Sequence, residues 1–248
     1  MKSLIENTTI DEFLGGRISL YQPREGYRAN IDSVLLASAV NAEAGQHVLE
    51  LGCGVGTVIY CLKARIPDVE VVGVEVQKRY ARLAALNAKR NNFRAKIVPV
   101  CITKIPSEYK QSNFHFVILN PPYRKSSNSV PPKNIERDIS TRESELKLAD
   151  WIKVAISRCA FNGQVVLIHD AERLQDVLKA FESTMGNVCI LPLSSHKQQN
   201  AKRVLIRATK GSKGALSILP PLVIHKKGSD MASGENYRLK VKKILSQG

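Results

Sequence analysis

The sequence predicts an α/β fold: an open, seven-stranded, mostly parallel sheet with helices on both faces. Three observations predict it. Short β-rich runs alternate with longer segments of helical period, a glycine-rich turn joins the first run to the helix after it, and an acidic residue stands near the end of the next run.

Taken in order, the runs 47–52, 70–76, 96–100, 114–120, 163–170, 187–193 and 202–209 have the apolar and β-branched character of strands. Between them, 57–66, 77–91, 145–160 and 171–185 read as helices; Leu83, Leu86 and Arg90 show the mixed apolar and basic faces of the second. A further helix at 31–40 precedes the first strand, with Asp32 or Ser33 expected near its N-cap. Residues 124–141 mix Ser, Asn, Pro and charge and read as a mobile loop. After the Gly/Lys turn at 210–214, Pro220-Pro221 excludes a regular central strand within 216–225.

The chain has 248 residues and 44% hydrophobic composition, enough for one sizeable core, so a single catalytic domain is expected over 1–248. No apolar run approaches the roughly 20 residues that span a bilayer, and the N-terminus lacks a secretory signal pattern, so a cytoplasmic protein without membrane contact is expected. Five scattered cysteines without a C-x-x-C pair or nearby histidine cluster argue against a disulfide framework and a metal site.

Charge carries more information. The 37 basic and 22 acidic side chains leave +15, which favours a polyanionic partner. From His196 onward twelve Lys/Arg face only Asp230 and Glu235, so ten of the fifteen net charges sit there. Lys202, Arg203 and Arg207 are therefore candidates for gripping such a partner, with a solvated surface as the plain alternative.

The strand at 47–52 runs into Gly52-Cys53-Gly54-Val55-Gly56 and then a helix, giving E-x-G-x-G-x-G with Glu50 entering the turn. Dinucleotide sites use G-x-G-x-x-G and seat a pyrophosphate on the helix N-terminus. S-adenosyl-L-methionine has no pyrophosphate but has an ammonium group, which a carboxylate such as Glu50 can meet. Nineteen residues after Gly56, Glu75 closes the next strand, where a carboxylate can accept both ribose hydroxyls. Gly52, Gly54, Gly56, Glu50 and Glu75 thus form the expected cofactor site.

The run 114–120 ends in Asn120-Pro121-Pro122-Tyr123. In the expected strand order this end lies beside the glycine turn, where open α/β sheets bind ligands. An amino group conjugated to a ring is a poor nucleophile because its lone pair is delocalised. The Asn120 carboxamide oxygen and the Pro121 carbonyl can accept its hydrogens, proline adds rigidity without a competing donor, and Tyr123 offers a face for base stacking. No cysteine follows a proline, which argues against a covalent route to cytosine carbon-5.

Together these residues resemble the class I S-adenosylmethionine-dependent methyltransferases of the amino-methylating N-P-P-Y group. The resemblance implies a Rossmann-like sheet of order 3-2-1-4-5-7-6 with an antiparallel seventh strand. Residues 11–17, Gln22-Pro23, Gly26-Tyr27-Arg28 through Asp32-Ser33 to Ala37, and the late segments 202–207 and 219–222 resemble the bacterial tRNA1(Val) adenine-N(6) methyltransferases, so the likeness covers nearly the whole chain. It implies tRNA as substrate, Tyr27 and Arg28 closing the cofactor pocket, and Arg142 on the substrate side. It also implies an N-terminal extension at 1–45 on the cofactor and substrate side, a catalytic core at 46–210 and a basic C-terminal segment at 211–248. Where that family usually places an adenine-binding aspartate, this chain reads Val100-Cys101-Ile102-Thr103, leaving Thr103 or the backbone to bind the adenine. Glutamine of a translation release factor is the alternative substrate within the N-P-P-Y group, and a non-catalytic RNA-binding module is the alternative of another class.

Overall fold

The computed structural model describes residues 2–109, 114–122, 146–182, 184–226 and 236–247. Its centre is a nine-stranded sheet built from β3 (His47–Leu51), β4 (Glu70–Val74), β5 (Lys96–Val98), β6 (Phe114–Leu119), β7 (Cys159–Asp170), β8 (Met185–Ser194), β9 (Arg203–Lys210) and two edge pieces, β10 (Ser217–Ile218) and β11 (Leu222–Val223). The seven principal strands lie in the order β5-β4-β3-β6-β7-β9-β8, and only β9 runs antiparallel to its neighbours. Numbered from β3, this is the expected 3-2-1-4-5-7-6.

The central strands are apolar along their length because both faces are covered. Val48, Phe116, Ile118, Val166, Ile168 and Leu205 enter one core, beneath α2 (Ile31–Ser38), α3 (Thr57–Arg65) and the C-terminal helix α7 (Leu239–Gln247). The alternate residues Leu49, Leu51, Val117, Leu119, Val165, Leu167, Val204 and Ile206 enter the other, beneath α5 (Leu148–Arg158) and α6 (Leu174–Phe181).

The structure departs from the expected elements where tertiary contacts override local pattern. Asn30, not Asp32 or Ser33, caps α2: its backbone is extended and its side chain accepts the Asp32 N–H at 2.9 Å. Helix α5 stops at Arg158 and β7 starts at once, because Lys210 Nζ donates to the Ile156 and Cys159 carbonyls at 2.8 Å each, closing the helix end. The expected helix at 171–185 is a 3-10 turn followed by α6, which ends where Glu182 takes φ 44° before β8.

Two further pieces were not expected. A hairpin of β1 (Thr8–Phe13) and β2 (Ile18–Pro23) turns through Leu14-Gly15-Gly16-Arg17, and α7 packs against α2. The Gly15-Gly16 pair between two β-rich runs is the signal that could have revealed the hairpin. Around Pro220-Pro221, β10 and β11 are two-residue strands on the edge strand β8, where a missing N–H is tolerated. A short helix α1 (Lys2–Glu6) precedes the hairpin, and α4 (Lys78–Arg90) links β4 to β5. Among the described residues no helix is long and apolar enough to cross a membrane.

Candidate functional site

Parallel register brings the chemistry-bearing strand ends together. Glu50 and Leu51 of β3 lie opposite Gly73 and Val74 of β4 on one side and Ile118 and Leu119 of β6 on the other. Gly52, Glu75 and Asn120 therefore emerge side by side at the C-terminal edge of the sheet. The turn between β3 and α3 holds Gly52, Gly54 and Gly56 at φ 70°, 54° and 88°. At Gly56, the N-cap of α3, a Cβ would lie 2.2 Å from the Tyr60 ring; at Gly52 it would lie 2.9 Å from Trp151. Glycine is required there by conformation and by space.

A narrow cleft runs over this turn, lined by Tyr27, Ala29, Ser33, Glu50, Gly52, Cys53, Thr57 and Asn120 among others. Glu50 is 2% exposed and its Oε2 has no hydrogen-bond partner; Thr57 Oγ1, at the first turn of α3, is likewise buried and unsatisfied. Burial pushes the Glu50 carboxyl well above the usual carboxylate range, the Ile59 N–H pulling it back in part and the Glu75 charge adding to the rise. A buried acceptor and a buried hydroxyl lacking partners in one cleft fit a ligand with a cationic group and further polar atoms. Thr57 was missed by the sequence reading, since a threonine opening a helix looks like ordinary local structure.

Glu75, also buried, holds the turn itself: its Oε2 accepts the Gly54 N–H at 2.9 Å and its Oε1 accepts the Gln77 N–H at 2.8 Å. Burial raises its pKa and those N–H groups oppose the rise. Thr103 is exposed on a 3-10 turn after β5, its hydroxyl 3.2 Å from Cys101 Sγ, and does not line the cleft.

The N-terminal segment forms the outer wall. Tyr27 lies against Gly54, its hydroxyl accepts from Asn120 Nδ2 at 3.4 Å and meets the Ser33 side chain, and its N–H donates to Tyr80 Oη at 2.9 Å. Arg28 takes a different place from the one expected. Its guanidinium donates to the Pro23 carbonyl at 2.7 Å and pairs with Asp11 at 2.5 Å, so it braces the hairpin and does not line the cleft.

What seats that wall is a pair of asparagines on one face of α4. Asn87, fully buried, accepts the Tyr21 N–H at 2.7 Å and donates to the Tyr21 carbonyl at 3.1 Å and the Val55 carbonyl at 3.0 Å. Asn91, one turn on, accepts the Ser19 N–H at 3.0 Å and donates to the Ser19 carbonyl at 2.9 Å. Each carboxamide imitates a neighbouring strand, so β2 is hydrogen-bonded to a helix, and Asn87 ties it to the glycine turn as well. Asn87→Leu leaves the buried Val55 carbonyl and the half-buried Tyr21 N–H and carbonyl without this partner and should lower stability by about 2–4 kcal/mol. A thermal or urea melt checks this; a midpoint equal to wild type would refute the tie.

Of the expected catalytic residues, Asn120 is half-buried, Pro121 buried and Pro122 exposed at the end of β6. Tyr123, Arg142 and the loop expected at 124–141 lie outside the described residues.

The basic residues near the C-terminus divide. Lys202 is exposed, next to the β9 end that joins the cleft's edge of the sheet. Arg203 is a correction: it pairs closely with Asp170 at the end of β7, and its Nε lies 3.5 Å from Asp32 Oδ2, so it clamps α2 to the sheet. Arg207 is half-buried midway along β9, between Val166 and Cys189, and Lys210 is held by the α5 carbonyls. The segment that looked like one cationic grip is in part internal wiring.

Residues 27–148, from the Tyr27 wall through the glycine turn and the Asn120 segment, match the profile of the methyltransferase small domain. This segment belongs to that methyltransferase family. The methyltransferase is similar to two curated proteins of Porphyromonas gingivalis, both named tRNA1(Val) (adenine(37)-N6)-methyltransferase. It is 29% identical to that of strain ATCC 33277 over 209 residues, 79% of each chain. It is 29% identical to that of strain W83 over 158 residues, covering 60% of this chain and 61% of the relative, less than two thirds of its length. Among solved structures, a predicted O-methyltransferase from Agrobacterium tumefaciens superposes with TM-score 0.69 at 24% identity, covering 87% of this chain and 96% of that one. A 16S rRNA methyltransferase from T. thermophilus, solved with AdoMet and guanosine, superposes with TM-score 0.57 at 17% identity, covering 82% of this chain and 50% of that one. The fold is the Rossmann-like class I methyltransferase fold, and the cofactor is S-adenosyl-L-methionine.

Proposed function

We propose that this methyltransferase acts on the exocyclic amino nitrogen of an adenine in tRNA. The observation that carries the reading is Asn120-Pro121 at the end of β6, directly beside the glycine turn, with the Asn120 carboxamide oriented by Tyr27. Bound S-adenosyl-L-methionine supplies an electrophilic methyl group on a sulfonium. Glu50 and Thr57 would hold its polar end, Gly52, Gly54 and Gly56 admit it to the backbone, and Glu75 would take its ribose. Asn120 Oδ1 and the Pro121 carbonyl would accept the two amine hydrogens and turn the nitrogen lone pair toward the methyl group. Catalysis is then positioning and hydrogen bonding in an in-line displacement.

The naming of the curated relatives as tRNA adenine methyltransferases supports the substrate, as does the net charge of +15. The deciding experiment incubates purified protein with labelled cofactor and either bulk tRNA or a translation release factor, then digests the RNA to nucleosides. Label in N6-methyladenosine is expected; label in the release factor and none in tRNA would sink the reading.

A further inference from the structure

Helix α4 opens with charges that an isolated helix disfavours. Lys78 and Arg79 open it, at the positive end of its dipole, with no acidic residue in the first turn and no side-chain cap from Gln77. Cations there are unfavourable. Lys78 and Arg82 at i,i+4, and Arg79 and Arg82 at i,i+3, repel one another. From Val76 to Ser107 the chain has no Asp or Glu but eight Lys and Arg. The fold absorbs few of them: Arg90 reaches Ser19 and Tyr21, and Lys96 lies near Glu108 and over the Tyr109 ring. Lys78, Arg79, Arg82, Lys89 and Arg94 are exposed and make no ion pair or side-chain hydrogen bond with any described residue.

Geometry lines them up. The buried face of α4 is Tyr80, Ala81, Leu83, Ala84, Asn87 and Ala88. At about 100° per residue, Lys78, Arg82 and Lys89 fall in one stripe on the opposite face, running about 17 Å along the axis. The stripe starts three residues after Glu75, whose carboxylate holds the glycine turn, so it leads away from the edge of the cofactor cleft. A bilayer would demand large apolar side chains on this exposed arc, which instead carries Ala85 and the half-buried Leu86. A local pattern that weakens the free helix is relieved when a polyanion binds it.

We propose that the exposed face of α4, through Lys78, Arg82 and Lys89, binds the phosphodiester backbone of the RNA substrate. This rests on the tRNA reading above. The face holds phosphates without reading sequence, and its occupant removes the repulsion that the free helix carries.

The test is the triple variant Lys78→Glu, Arg82→Glu, Lys89→Glu in the full chain, compared with wild type by tRNA filter binding across a salt series, by thermal melting, and by the melting shift with S-adenosylmethionine. Expected are tRNA affinity lower by about 10-fold or more and a log–log salt slope shallower by about 2–3, at about 0.7–0.9 for each phosphate that the variant no longer neutralises. The free variant should melt close to the wild-type temperature, since a glutamate at 78 suits the helix N-terminus, one at 89 opposes the C-terminus, and a like-charge pair remains at 78 and 82; the cofactor shift should be unchanged. A merely structural role would lower the melting temperature. Wild-type affinity and slope in the variant overturn the proposal while leaving the tRNA substrate standing. If wild type binds tRNA through this face but transfers no methyl group to it, the substrate reading falls and the face stands. Wild-type protein that binds phosphatidylserine vesicles but no RNA overturns both.

Discussion

Asn120→Ala is expected to lower kcat by about 10²-fold or more, with the S-adenosylmethionine dissociation constant within about twofold of wild type. The size follows from what one preorganised hydrogen-bonding group contributes at a reacting centre, about 10²–10³ in rate. The selectivity follows from placement: the side chain stands at the end of β6, one strand away from the turn whose glycines and Glu75 form a separate hydrogen-bonded unit. Single-turnover rates and a cofactor melting shift measure the two quantities separately. Asn120→Asp keeps an acceptor in place and should retain more turnover than alanine. If both variants lose turnover equally, the hydrogen bond with Tyr27 matters more than the acceptor; if alanine turns over like wild type, the assigned role is wrong.

The sequence made the parallel core readable because its strands are buried on both faces and their ends carry chemistry in a fixed order. The glycine turn, Glu75 and the Asn120 segment sit at the strand ends where local pattern placed them, and the strand order is the one the family resemblance implies. The hairpin was signalled only by Gly15-Gly16 between two β-rich runs, and its seat on α4, made by the carboxamides of Asn87 and Asn91, leaves no periodic trace. Basic residues were the least legible. A count over a segment cannot tell Arg203, spent on Asp170 and Asp32, or Lys210, spent on helix carbonyls, from an exposed Lys202. Arg28 misleads in the same way: its partner Asp11 is seventeen residues earlier and becomes a neighbour only when the hairpin forms.

Cofactor binding should release a proton, and Glu50 is the group expected to release it. In the cofactor-free protein burial holds its pKa well above the ordinary 4.5, with the nearby Glu75 adding to the rise. A cofactor ammonium beside it supplies the missing positive charge and lowers that pKa. Between the two values the free protein carries a proton that the complex lacks. Affinity should therefore rise with pH in that window, by up to tenfold per unit, and level off above the pKa of the free protein. Stability of the cofactor-free protein should move the opposite way. A carboxyl whose folded pKa lies above its unfolded value binds the proton more tightly when folded, so its contribution is complete below about 4.5 and is lost as pH rises through the folded pKa. Glu50→Gln, neutral at every pH, should abolish both dependences and weaken cofactor binding by about 30-fold or more, as removing one partner of a buried charge pair does. Calorimetric titrations in two buffers of different ionisation enthalpy count the protons directly. Equal proton release by wild type and the glutamine variant would show that another group titrates and that Glu50 does not meet the ammonium.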